Sequence, residues 1–91
     1  MNHNLTPNQL EALKWLVQHV RSGKLEETFE AVEKPGGGLF LPDVRGEKLP
    51  DYMNPGALAA LQIEGTLRIV SKGKDNIKYV LAGKAYQLAD S

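Results

Sequence analysis

The strongest constraint in this 91-residue chain is a stretch near its end where apolar side chains return every second residue. Leu67, Ile69 and Ser71 alternate with Arg68, Val70 and Lys72. After Gly73-Lys74-Asp75-Asn76, the residues Ile77, Tyr79 and Leu81 alternate with Lys78 and Val80. A period of two belongs to a strand, and a polar, glycine-containing break between two such runs makes a hairpin. Placing Leu67 opposite Leu81, Ile69 opposite Tyr79 and Ser71 opposite Ile77 gathers one apolar face. Arg68, Val70, Lys72, Lys78 and Val80 then share the other face. A slip of one residue mixes the two, so this register is the expected one.

The hairpin is flanked by helix signals. Asn54 caps and Pro55 opens a short apolar helix over 55–64, which Gly65 ends. Gly83 to about Ala89 forms a closing helix with Ala85, Leu88 and Ala89 inward. A third helix runs from Pro7 to about Ser22. There Thr6 is the N-cap, Gln9 completes a Thr-x-x-Gln capping box and Gly23 sits at the C-terminal cap. Leu10, Leu13, Leu16, Val17 and Val20 form its apolar stripe. Trp15 falls at the edge of that stripe.

The middle of the chain reads less uniquely. Residues 25–34 fit a helix, with Leu25, Phe29 and Val32 on one face. They also fit a strand that turns through Pro35-Gly36-Gly37-Gly38 into Leu39-Phe40-Leu41. The abundance of Glu, Ala and Leu tips the reading towards helix. Residues 42–53, with turn formers Pro42, Asp43, Gly46, Pro50 and Asp51, read as a loop anchored by Tyr52 and Met53.

The length allows one domain, spanning 1–91, and the 42% hydrophobic content supplies one small core. Without cysteine, disulfides, thiolate metal sites and cysteine catalysis are excluded. No apolar run is long enough for a membrane span, and Met-Asn-His-Asn begins no secretory leader, so a cytoplasmic location is expected. Net charge is zero, which argues against a strongly basic nucleic-acid binder. The charge is uneven, however: residues 67–91 hold five basic and two acidic groups.

The order of an apolar helix ended by Gly65, a hairpin with a basic tip and Leu81-Ala82-Gly83-Lys84-Ala85 resembles the winged helix-turn-helix superfamily, in particular bacterial regulators. The resemblance covers about residues 54–88 and, loosely, the first helix. It implies a small α+β winged-helix-like domain with three to four helices and a C-terminal hairpin as the wing. It further implies a DNA-binding transcriptional regulator with double-stranded DNA as partner. Two features depart from the family. About twenty residues separate Lys34 from Asn54, where the family has a short turn. The helix at 55–64 also carries no base, and offers only Gln62 and Glu64 as polar side chains.

Major-groove readout requires donors on a helix, and here only Gln62, with Asn54 at the cap, qualifies. The 55–64 helix is therefore expected to be a core helix covered by the 35–53 loop. The wing is better equipped: Arg68, Lys72, Lys74 and Lys78 suit phosphate contacts. The competing expectation is a solvated basic hairpin face, on a module that dimerises or docks to a protein and binds no nucleic acid. Gly36-Gly37-Gly38 lacks the following Gly-Lys-Ser/Thr of a phosphate loop and reads as a turn. His3 is assigned to a mobile end and His19 to the polar side of the first helix. Asp43, Glu47 and Asp51 read as solvated turn residues. Ser22, Ser71 and Ser91 have no nucleophile context. No catalytic residue, cofactor or metal ligand is expected.

Overall fold

A computed structural model describes residues 3–44 and 47–91; the turn expected at Gly46 and the first two residues lie outside the described residues. The first helix, α1, spans Pro7–Arg21 and starts as its sequence requires. The Thr6 hydroxyl accepts from the Gln9 amide at 3.1 Å, and the Gln9 side chain accepts from the Thr6 amide at 3.0 Å. Both otherwise orphaned donors are thus satisfied within one turn. Leu13, Leu16 and Val17 are buried, while Leu10 and Val20 pack at the margin.

Residues 28–33 are a strand, β1 (Thr28–Glu33), not the helix that composition favours. Phe29 and Ala31 are buried, and Val32, which a helix would have placed beside Phe29, lies on the opposite face. Strand geometry wins because tertiary pairing outweighs propensities of a few tenths of a kcal/mol per residue. β1 pairs along its whole inner edge with β4 (Asn76–Leu81), Phe29 facing Tyr79 and Ala31 facing Ile77. On its other edge it turns through Pro35–Gly38 into the two-residue β2 (Leu39–Phe40). Gly36 and Gly37 have φ of 94° and 97°, a region that side-chain-bearing residues avoid. A 3-10 turn, Pro42–Val44, follows, and the loop beyond it buries Met53 and half-buries Tyr52, the two anchors expected there.

The second helix, α2, spans Pro55–Ile63. The Asn54 Oδ1 accepts from the Ala57 amide at 2.8 Å and caps it. At its other end Gly65 adopts φ of 83°; its amide donates to the Gln62 carbonyl, and the Thr66 amide donates to that of Leu61. These two bonds are a Schellman closure. The fully buried Thr66 hydroxyl adds a second bond to the Leu61 carbonyl at 2.8 Å. The chain then enters β3 (Leu67–Lys72), turns into β4, and ends in α3 (Gly83–Ala89), which packs on α1.

Among the described residues the product is a small α+β domain: three α-helices and a four-stranded antiparallel sheet in the order β2-β1-β4-β3. One sheet face carries buried Phe29, Ala31, Leu67, Tyr79 and Leu81 beneath the helices, and the Phe29 and Tyr79 rings meet at 5.9 Å. Full burial of a side chain such as Phe29 contributes about 1.5–3 kcal/mol. The other face carries Thr28, Glu30, Arg68 and Lys78 together with Val32, Phe40 and Val80. None of the described helices is long and apolar enough to cross a membrane.

Candidate nucleic-acid interface

The hairpin that supplies the basic side chains differs from expectation at one residue. Leu67 faces Leu81 and Ile69 faces Tyr79, as the alternation predicts. The ladder then shifts: Ser71 faces Lys78 and Lys72 faces Ile77, so the predicted Ser71–Ile77 pair does not form. A β-bulge between Ile69 and Ser71 inserts Val70 as an extra residue, and every side chain beyond it changes face. The five residues expected to share one face are thereby divided.

Arg68 and Lys78 stay on the face away from the helices. Lys78 lies directly across from Glu30 of β1, so its charge has an acidic neighbour there. Lys72 is turned to the same face as Ile77, the face that the helices cover. Lys74 stands at the exposed tip.

On that face the hairpin tip, the β1–β2 turn and the start of α2 enclose a groove of about 620 Å³. Lys72, Lys74 and Lys34 line it, and Leu39, Leu58, Ile77 and Tyr79 form its apolar floor. Glu33 and Asp75 also line it, leaving one net positive charge at the rim. Charge and spacing in the sequence do not single out Lys34. Its position just before Pro-Gly-Gly-Gly is the available signal, since a hairpin there folds Lys34 back beside the second tip. The Lys34 ammonium also sits 5.8 Å from the centre of the Phe40 ring, in cation–π range. Burial, with a smaller contribution from the Glu33 charge, pushes the Tyr79 phenol above its ordinary value. At neutral pH the phenol is therefore a hydrogen-bonding group and not a base.

Gln62 is exposed, but α2 contributes only Pro55 and Leu58 to the groove. Gln62 is thus not gathered with the lysines. Asn54 is occupied: besides capping, its amide donates to the Asp51 carbonyl at 3.2 Å. Glu64 is engaged by Lys84, whose ammonium donates to the Glu64 carbonyl at 2.8 Å and lies 3.5 Å from its carboxylate. The expected covering of α2 by the 35–53 loop is not found. The inner residues Ala57, Leu58 and Leu61 are buried, but Gly56, Ala59, Gln62 and Ile63 are open to solvent, Ile63 with 87% of its surface exposed.

Two residues without a role in the sequence pattern have defined partners. His19 is buried rather than on a polar helix side, with its ring stacked on Trp15 at 3.7 Å between centroids. Its Nδ1 lies 2.8 Å from the Trp15 carbonyl and its Nε2 lies 2.9 Å from Glu47 Oε1. Glu47 is therefore not a purely solvated turn residue. The signal is the position of His19 four residues after Trp15, which widens the buried stripe of α1. His3, assigned to a mobile end, accepts from the Leu5 amide through Nδ1 at 3.2 Å. The hydroxyls of Ser22 and Ser91 donate to helix-end carbonyls. Among the described residues no three His, Cys, Asp or Glu side chains gather as metal ligands would.

No protein-family model matches the chain, and comparisons with curated proteins and with solved structures likewise find no match.

Proposed function

We propose that the protein is a winged-helix-like module that binds the backbone of double-stranded DNA through the β3–β4 hairpin, as a transcriptional regulator would. The observation that carries this reading is the bulge at Val70. It turns Lys72 to the face of the groove beside Lys74, so two lysines of the β3–β4 tip border one groove whose lining also includes Lys34. Ammonium groups are point charges that suit phosphate oxygens, and phosphate contacts position a protein on a duplex without reading sequence. The succession of capped helix, Gly65 closure, two-stranded hairpin and final helix is the arrangement on which the winged-helix reading rests. The net charge of zero fits modest, backbone-dominated affinity, on the order of 10⁻⁴–10⁻⁶ M at physiological salt.

The test is duplex binding measured across a salt series. Replacing Lys34, Lys72 and Lys74 with Gln should reduce the log–log salt slope by roughly 2–3, at about 0.9 for each phosphate that a lysine neutralises. Replacing Arg68 and Lys78, on the other face, should change it less. No binding at low salt, or an unchanged slope in the triple variant, rejects the reading.

A second reading, self-association or docking to a protein partner, is favoured by one observation. Ile63 on α2 and Val70 on β3 expose 87% and 54% of their surfaces. Sedimentation at increasing concentration separates the two, because an interface there should disappear in Ile63→Ser.

A further inference from the structure

The contact between His19 and Glu47 has a proton count that its geometry dictates. The Trp15 carbonyl oxygen can only accept, so Nδ1 of His19, 2.8 Å away, must carry a hydrogen. In a neutral imidazole the other nitrogen, Nε2, is then a bare acceptor. Yet Nε2 lies 2.9 Å from a Glu47 carboxylate oxygen, also an acceptor when ionised. Two lone pairs at that distance repel. The contact becomes a hydrogen bond only when one further proton lies between the two atoms. That proton makes either an imidazolium facing a carboxylate or an imidazole facing a carboxylic acid.

We infer that this single shared proton fastens the 47–53 segment to α1, and that the segment loosens when the proton leaves to solvent. Among the described residues, the segment's other ties are the Glu47 amide donating to the Val44 carbonyl at 3.4 Å and the packing of Leu49, Tyr52 and Met53 on the core. Its internal backbone bonds include the Met53 amide donating to the Pro50 carbonyl at 2.9 Å, and Met53 is its buried anchor. It leads directly into Asn54, the cap of α2, so its seating sets where α2 begins. The ring of His19 is held in place by its stack on Trp15, so the ring cannot turn away without disturbing the buried indole.

Lys24, just beyond α1, adds a favourable charge to the Glu47 carboxylate. Asp43 and Lys48 flank it along the chain and are exposed. Trp15 on α1, Leu25 after it and Val44 of the 3-10 turn are apolar and buried. The hydrogen bond from His19 holds the Glu47 carboxyl below its usual range, against a smaller opposing effect of burial. A carboxyl lowered in the folded state stabilises above its unfolded value, and that contribution declines as pH falls through the lowered value. The fastening thus weakens in both directions, by a second proton on the acid side and by loss of the only proton on the alkaline side.

The experiment is amide exchange at Met53 followed by NMR across pH, corrected for intrinsic rates, in the wild-type protein, Glu47→Gln and the exposed control Glu11→Gln. Protection in the wild type and the control should fall severalfold as the pair loses its proton. In Glu47→Gln the side-chain amide donates to Nε2 without an extra proton, so protection should stay level over the same range. Superimposable profiles for wild type and Glu47→Gln overturn the inference. Should Glu47→Gln not fold, the ring tautomer in the wild-type protein decides. Nitrogen-15 shifts must place the hydrogen of the neutral ring on Nδ1, and a neutral ring protonated at Nε2 overturns the inference.

Discussion

The helices α1 and α2 open and close with nearly the same signals and end in different surroundings. Each begins at a capping polar residue followed by proline, Thr6-Pro7 and Asn54-Pro55, and each ends before a glycine with φ near 80°. α1 is then tied to the rest of the molecule by side chains: His19 reaches Glu47, and Arg21 makes a two-pronged contact with Asp90 at 2.7 and 2.8 Å. Arg21 also lies over the Tyr86 ring at 5.4 Å. α2 is richer in apolar residues, yet leaves Ala59 and Ile63 in solvent. Capping chemistry decides that a helix forms and where it stops. It does not decide how much of the helix the rest of the chain covers, and α2, the more apolar of the two, is covered on one side only.

The sharpest way to break this comparison is to truncate both faces of α2. Leu61 is fully buried, so Leu61→Ala should cost about 2–5 kcal/mol in denaturant unfolding. Ile63→Ser, two residues on, should stay within about 0.5 kcal/mol. Equal destabilisation would mean that Ile63 is covered. The caps come next. Thr6→Ala and Asn54→Ala should each cost about 0.5–2 kcal/mol. Asn54→Ala is the larger of the two, because Asn54 also donates to the Asp51 carbonyl. A reversed order would show that the capping box of α1 matters more than this second bond. The smallest effect concerns the Arg21–Asp90 contact. Its hydrogen bond holds the Asp90 carboxyl below, and the guanidinium above, their usual values. Stability from Asp90 is present above the ordinary carboxylate range and fades as pH falls through the lowered value. Arg21→Gln should remove that acid-side slope while leaving neutral-pH stability almost unchanged, since exposed ion pairs contribute little.

The parts of the fold that are legible in the sequence are those specified by neighbours along the chain. Thr6-Pro7, Gly23, Asn54-Pro55 and Gly65 act within one helical turn, and the Leu67–Leu81 alternation acts within one hairpin. β1 is not legible because Glu27 to Glu33 satisfies both periods. Only the unpaired edge of β4, some fifty residues later, selects the strand. The bulge escapes for a related reason: the alternation falters only at Val70-Ser71, apolar where polar is due and polar where apolar is due, and one such exchange in a strand does not by itself mark a surplus residue. The sequence misplaces His19 because its partner lies 28 residues away and its ring stacks on a Trp15 that belongs to the core. Of the candidate site, Lys72 and Lys74 stand out by charge alone. Their company with Lys34 depends on two hairpins folding side by side.

The bulge also bears on how the protein stays apart from copies of itself. β3 forms one border of the sheet, and its outward backbone groups have no strand beside them. A regular border of this kind templates growth by the strands of other molecules, the first step towards fibrils. The surplus Val70 breaks the spacing of those outward groups in mid-strand, and Arg68 and Lys72 stand on either side of the break. A docking strand would meet two correctly spaced residues, then a mismatch beside a positive charge. Deleting Val70 would give an even border while keeping the Ser71–Lys78 and Lys72–Ile77 pairs, and such a protein should deposit as fibrils at concentrations where the natural chain remains clear.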